Sequence, residues 1–543
     1  MPSIALPGLS TNIDTAALVR QLVTAASQPL RLLQSRQARL QERTSAVSTL
    51  ETRLGALKTA LAGVRYAADL RAYAAASSNE DAVTVEAASS ASEGAHEIIV
   101  DRLATADRKV HDGLASLDTL VGAGVFAYEY NGQTRTIQTT ADTTLADLRD
   151  LINNDGGNPG VTASVLQYDA GGGKVYHLVL GGNDTGTDYA ITIDDVLTTL
   201  DIFDSPTFTT TQAAQNSRVR VDGYPADPNW IERTGNTLDD VLPGVTLHLH
   251  SASASPVRVS LTRETDSLKD KLSGLVTAYN NVVDFAHQKT AYDQATKTGG
   301  VLMGEYTVTN ILYQLRTPLI EGVAGFLDGA DAYTLAAQVG LSVDQDGKLQ
   351  LDETVLDEAL AENYLGVLSL LGARNTGASD SENLRFYGAR DATTPGEYDV
   401  KATFADSTLT AAWIKAAGEP ESAWRVATVD GNLILGASGE AEQGLQVTGS
   451  YTGSGTVQAQ VRARQGVGGS LYDTIEEALE DAIDLTQARY ADEAKLLEDH
   501  IEREQDRLDR LEQQLTAQFA RLEQTLTMLQ AQREALTQQT STE

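Results

Sequence analysis

A chain of 543 residues is too long for one hydrophobic core, so three to five folding units are expected. Its net charge of −34, from 75 acidic against 41 basic residues, argues against nucleic acid or an anionic membrane as partner. It has no cysteine, which excludes disulfides and thiolate metal sites and leaves the compartment open.

Met1 to Thr11 has no basic region and no long apolar run, so no ordinary signal peptide is expected. No apolar stretch reaches the roughly 18 residues that a membrane span needs, so no span is expected. Asp14 can cap a helix starting at about Thr15. Leu33, Leu40, Val47, Leu54 and Leu61 then recur every seventh position, and Leu50, Leu57 and Val64 supply the second seam position of a coiled coil. Residues 1–75 carry nine Lys/Arg and four Asp/Glu, a balance of +5.

The texture changes at about Ala74. Alternation in Ala82–Glu86 and in His96–Val100 predicts strands, and Thr, Val, Gly, Asp and Asn dominate as far as Arg263. Two short helices are expected, over Thr144–Asn153 and Thr237–Leu242. Each follows a turn pair suited to a tight hairpin, Asn131-Gly132 or Asp222-Gly223, so a weak internal repeat is read here.

Helical periodicity returns at Ser267–Gln288, with Leu268, Leu272, Leu275, Tyr279, Val282 and Val283 on one face. Val308–Ile320 reads as helix until Pro318. Val339–Asp344 and Lys348–Leu351 flank Gln345-Asp346-Gly347 as a hairpin. Asp352 caps a helix from Glu353 to about Asn363, and another covers Leu365–Leu371. Asn375–Gln465 is again β-like, with Trp413, Trp424 and apolar runs such as Asn432–Leu435, and reads as an inserted domain because helical texture resumes at Leu471.

The last stretch places Ile501, Leu508, Leu515, Leu522, Leu529 and Leu536 at every seventh position. No proline interrupts it between Tyr472 and Arg533. The companion seam position is poor (Glu504, Gln518, Thr525, Gln532), and only Leu511 fits. Half a seam cannot close a stable coil alone, so a second apolar surface is needed. The N-terminal heptads offer one, and the charges match: residues 472–536 carry seven Lys/Arg and seventeen Asp/Glu, a balance of −10.

Motifs for chemistry are weak. Asp344-Gln345-Asp346-Gly347 has a calcium-loop flavour, but its glycine stands fourth instead of sixth and turn chemistry explains it. His248 and His250 share a strand face with no third ligand nearby. Gly453-Ser454-Gly455 reads as a flexible turn. With no phosphate-binding loop and no nucleophile elbow, no catalytic, metal-binding or cofactor-binding residue is assigned.

Gly8-Leu9-Ser10-Thr11-Asn12-Ile13-Asp14 followed by Leu18–Val23 resembles the opening of the bacterial flagellar filament cap family, the hook-associated protein 2 family. Val339–Asp352 and Asn236–Leu247 resemble two further segments of that family. Thr144–Asn153, Val161–Val165 and Gly182–Gly186 resemble a small domain shared with flagellins. The resemblance covers nearly the whole chain except about 376–465.

This resemblance implies an α+β multidomain fold, with a helical stalk built from both ends and β-rich domains between. It implies terminal mobile helical segments at 1–30 and 510–543, and a stalk from 31–75, 265–375 and 466–509. A β-rich head would comprise 76–106 and 214–264, a flagellin-like domain 107–213, and an extra β domain 376–465. It further implies a ring, most often of five copies, at the distal filament tip, where exported flagellin folds and inserts. Partners would be further copies of itself, flagellin, the hook-associated junction proteins and an export chaperone at the C-terminus. Export would run through the flagellar type III apparatus, with no enzyme activity and no cofactor. A hook–filament junction protein, or a tip adhesin acting through 376–465 on a host or surface ligand, are the other readings.

Overall fold

The computed structural model describes residues 14–540 apart from Ala170, Gly172 and Thr296, and the side chains of 538–540 are likewise outside the description. The Gly8–Ile13 part of the opening motif therefore lies outside the described residues. The chain forms two compact units, one from its two flanks (up to Leu70 and from Lys269) and one from Arg71–Leu268.

Helix α1, Thr15–Ala26, starts as the sequence predicts, with the Ala17 N–H donating to Asp14 Oδ1 at 2.8 Å. Ser27 separates it from α2, Gln28–Ala62, whose first turn contains Pro29, a residue with no N–H to lose there. A short turn, α3, follows at Ala67–Leu70.

In the middle unit, Tyr73–Ser77, Ser253–Arg263, Gly94–Arg102, Ser217–Val221 and Ile231–Arg233 form an antiparallel sheet in that order. Val83–Ala87 joins Val245–Leu249 and Thr237–Leu242 in a second sheet. Val83, Ile98, Val219, Leu247 and Val259 fill the space they share. Thr237–Leu242 is thus a strand, correcting the helix expected there. Leu238 is its one buried side chain, and Pro243-Gly244, with Gly244 at φ 73°, turns it straight back onto its partner.

The same unit holds a four-stranded and a three-stranded sheet between Arg108 and Gln212. Gly124–Tyr130 and Gln133–Thr139 pair through Asn131 and Gly132, both at positive φ, as a tight hairpin requires. Helix α4, Leu145–Asn154, opens on a reciprocal cap between Thr144 and Asp147. It packs Leu145, Leu148 and Ile152 against Phe126, Tyr128 and Leu178.

The flanking unit resumes with α5, Asp266–Thr290, and α6, Tyr306–Ile320, which contains Pro318. Leu341–Val343 and Leu349–Leu351 pair as a hairpin. Helix α7, Glu353–Gly372, carries Asp352 as its cap and breaks at Asn363 (φ −148°, ψ 82°), where the sequence divides two helices.

Between Thr376 and Arg464 eight antiparallel strands form one sheet. Its first strand, Thr376–Ser379, pairs with its last, Gly455–Arg464. Tyr398, Val400, Phe404, Ile414, Ile434 and Val447 are among its core residues. The chain leaves and re-enters the helices at one place, because the Gly466 N–H donates to Ala373 O at 2.7 Å. Helix α8, Val467–Glu477, runs through a π turn at Ala478–Ile483 into α9, Asp484–Thr540. Helices at both ends with β-rich domains between them is the architecture the sequence predicts.

Candidate assembly surface on the terminal helices

Helices α2 and α9 lie antiparallel. Gln487 Nε2 donates to Glu51 Oε2 at 2.5 Å, and Arg507 Nη2 donates to Ala26 O at 3.0 Å, near the far end of the pair. Helix α1 continues the pairing, with Thr15 Oγ1 donating to Glu523 Oε1 at 2.7 Å. Only Thr15 and Val19 of α1 are buried. A cleft of about 260 Å³ remains where Thr15, Ala16, Val19 and Arg20 face Thr516, Phe519, Ala520 and Glu523.

The sequence-assigned seam residues divide by depth. Leu40, Val47, Leu50, Leu54, Leu57 and Leu61 are buried in α2, and Leu33 is half-buried. On α9, Ile501 and Leu508 are buried, and Leu511 and Leu515 are half-buried. Leu522, Leu529 and Leu536 are 52%, 55% and 62% exposed. Past Leu508 the packed face drifts off the strict seven-residue repeat, as a straight 3.6-residue helix must. It passes to Phe519, Glu523 and Leu526, all half-buried. Phe519 was not assigned from sequence; its spacing of four residues from Leu515 and from Glu523, and of seven from Leu526, is the signal that marks this face.

A second feature invisible to local sequence is Glu305, whose side chain is 5% exposed. Its carboxylate meets Arg43 at 3.1 Å from α2 and Arg489 at 2.7 Å from α9, and accepts a hydrogen bond from the Tyr490 hydroxyl. Burial pushes this carboxyl up, but the Tyr490 and Arg489 hydrogen bonds and the charges of Arg489 and Arg43 outweigh that and hold it below the usual glutamate value. The group fastens α2, α6 and α9 at one level.

The other motifs resolve into local structure. Asp344 Oδ1 accepts from the Asp346 and Lys348 N–H groups, each at 2.9 Å, as a turn carboxylate does. His248 lies 3.2 Å from Thr237 Oγ1, and His250 lies 2.9 Å from Thr84 Oγ1. Among the described residues no three His, Cys, Asp or Glu side chains are grouped to hold a metal, and no helix is long and apolar enough to cross a membrane. What this surface offers is helix-to-helix association: an apolar stripe covered near its base and open toward Leu536.

The family model described as flagellar hook-associated protein 2 C-terminus matches residues 214–531, and the one for the N-terminus matches 11–107. A flagellin hook IN motif matches 129–175. A flagellar hook-associated protein 2 of Escherichia coli K12 is 28% identical over 398 residues, 68% of this chain and 81% of that protein. A B-type flagellar hook-associated protein 2 of Pseudomonas aeruginosa is 27% identical over 390 residues, 66% of this chain and 76% of that protein. The crystal structure of the flagellar cap protein FliD D1-D2-D3 domains from Escherichia coli is similar at a TM-score of 0.51 and 28% identity, covering 60% of this chain and 90% of that one.

Proposed function

This chain belongs to the flagellar hook-associated protein 2 family, and from that premise we propose that it caps the distal end of the flagellar filament and promotes insertion of flagellin beneath it. It is a structural protein in this reading, acting through contacts with flagellin and with further copies of itself. The observation that carries the reading is the family match across both flanks of the chain, together with helical ends paired to each other and apolar beyond the pairing.

In finer detail, the ring has five members, as the family resemblance implies. The chain leaves the cell through the flagellar type III apparatus, accompanied by a chaperone on its C-terminal segment. The distal half of α9, with Leu522, Leu529 and Leu536 open to solvent, engages the filament; unsatisfied apolar surface of this kind is what assembly would cover. The division we propose from the family resemblance is terminal helical segments within 1–30 and 510–543, of which 1–13 and 541–543 lie outside the described residues, a helical stalk at 31–75, 265–375 and 466–509, a β head at 76–106 and 214–264, a flagellin-like domain at 107–213 and an added β domain at 376–465.

Deleting the gene tests the reading. The expected strain secretes flagellin into the medium and carries no filaments, and the restored gene reverses both. Filaments of normal length with no flagellin in the medium would refute it.

A further inference from the structure

Two faces of the α2–α9 pair carry opposite charge at the same height. On α2, Arg31, Leu32, Ser35, Arg36 and Arg39 share one exposed face, three, four and seven residues apart. The face continues through Arg43 and Ala46 to Leu50 and Leu54, where the helical body buries it. N-terminal to Arg43 it lies open, with Leu32 56% exposed. Among the described residues, Arg31, Arg36 and Arg39 make no ion pair.

On α9 the outward side, opposite the buried Tyr490, Ile501 and Leu508, carries Asp492, Leu496, Asp499, Glu502 and Asp506. Leu496 is 61% exposed. Lys495 and Arg503 stand on the same side, so four carboxylates face two cations.

The two faces are level because the pair is pinned at both ends. Arg507 reaches Ala26 O at one end, and Glu305 holds Arg43 and Arg489 at the other. The segments between the pins, 26–43 and 489–507, are each about 26 Å long at 1.5 Å per helical residue.

We propose that these faces are the two halves of a contact between neighbouring copies of this chain, the Arg31–Arg39 face of one copy seating against the Asp492–Asp506 face of the next. The proposal rests on the self-association read above. A head-to-tail contact between two different faces closes into a ring under rotation. Rotation about an axis along the helices keeps height, so only faces at one level can meet. The apolar centres, Leu32 and Leu496, with charged rims match the usual anatomy of a protein interface. The charge argues for this occupant too. Copies bearing −34 each repel one another, and a cationic face meeting an anionic one is what offsets that repulsion at contact.

The test uses three variants of the full chain, each checked for wild-type helicity by circular dichroism. The first reverses one face (Arg31→Glu, Arg36→Glu, Arg39→Glu). The second reverses the other (Asp499→Lys, Glu502→Lys, Asp506→Lys). The third combines both. Mass is read by analytical ultracentrifugation across protein and salt concentration. Each single-face variant is expected to weaken association about tenfold or more, and the combined swap to restore it. Wild-type association is expected to weaken with salt. Single-face variants that keep the wild-type assembly, or a folded combined variant that stays dissociated, overturn this contact while leaving self-association intact. A wild-type protein that is monomeric throughout overturns self-association itself, and this contact with it.

Discussion

Thr15 Oγ1 donates a hydrogen bond to Glu523 Oε1 at 2.7 Å, across 508 positions of sequence. It joins the first described helix to the last. Because α1 buries only Thr15 and Val19, little else holds it. Segments with few buried contacts open at low free-energy cost. Limited proteolysis of the free protein should therefore cut within α1 and beyond residue 510 before it cuts the helical body. Thr15→Val removes the hydroxyl and weakens docking by about 1 kcal/mol. Cleavage within α1 should then rise roughly fivefold. Ends as resistant as the middle would contradict this.

Glu305 gives a pH prediction. Its carboxyl is held below the ordinary value of 4.5 in the folded chain. A depressed folded value means the stabilisation is present above the unfolded value and is lost as pH falls through the folded one. Glu305→Gln should flatten the acid side of the curve of melting temperature against pH while lowering the plateau. The expected loss near neutrality is about 2 kcal/mol, kept modest because Arg489 is largely solvated. A variant whose acid limb overlays the wild type would contradict the assignment.

The leucine stripes differ in what burial they have to lose. Leu50, Leu54 and Leu57 are almost wholly inaccessible, and each change to Ala should cost about 2–5 kcal/mol in thermal or denaturant unfolding. Leu522→Ala, Leu529→Ala and Leu536→Ala together should leave the melting temperature of the free protein nearly unchanged. In cells that triple variant should leak flagellin, once its own export is shown to be normal. A large stability loss in it, or normal filaments despite it, would place the stripe elsewhere.

The eight-stranded sheet should be separable. The Gly466–Ala373 hydrogen bond shows that a short linker can span its removal. One tie must be treated, because Asp331 pairs with both Arg462 and Arg464. Losing them would strand a buried carboxylate. Deleting residues 376–464 together with Asp331→Asn should give a soluble protein with the helical signal of the parent by circular dichroism. An insoluble product would make the sheet part of the helical core.

Local chemistry was legible where a segment decides its own structure. The Thr144–Asp147 cap and the spacing of Leu145, Leu148 and Ile152 foretell α4. Thr237–Leu242 carries the same local signals, Thr237 and Asp240 three apart with Leu238 and Val241 behind them, yet it is a strand; its Pro243-Gly244 turn back onto Val245 is the deciding signal, which the helical reading overlooked. Pairings at long range were not legible. The partners of Glu305 lie 262, 184 and 185 positions away. Nothing in Thr376–Ser379 announces that it pairs with Gly455–Arg464. The heptads of α9 exposed the stripe but not its drift toward Phe519, because a count of sevens ignores the 3.6-residue turn.

The most direct measurement of the central claim is the position of the protein on the flagellum. Immunogold labelling of intact, unfixed flagella, with an antibody against the eight-stranded sheet, should place gold at the distal filament ends. Labelling confined to the hook–filament junction, or spread along the filament, would contradict a cap.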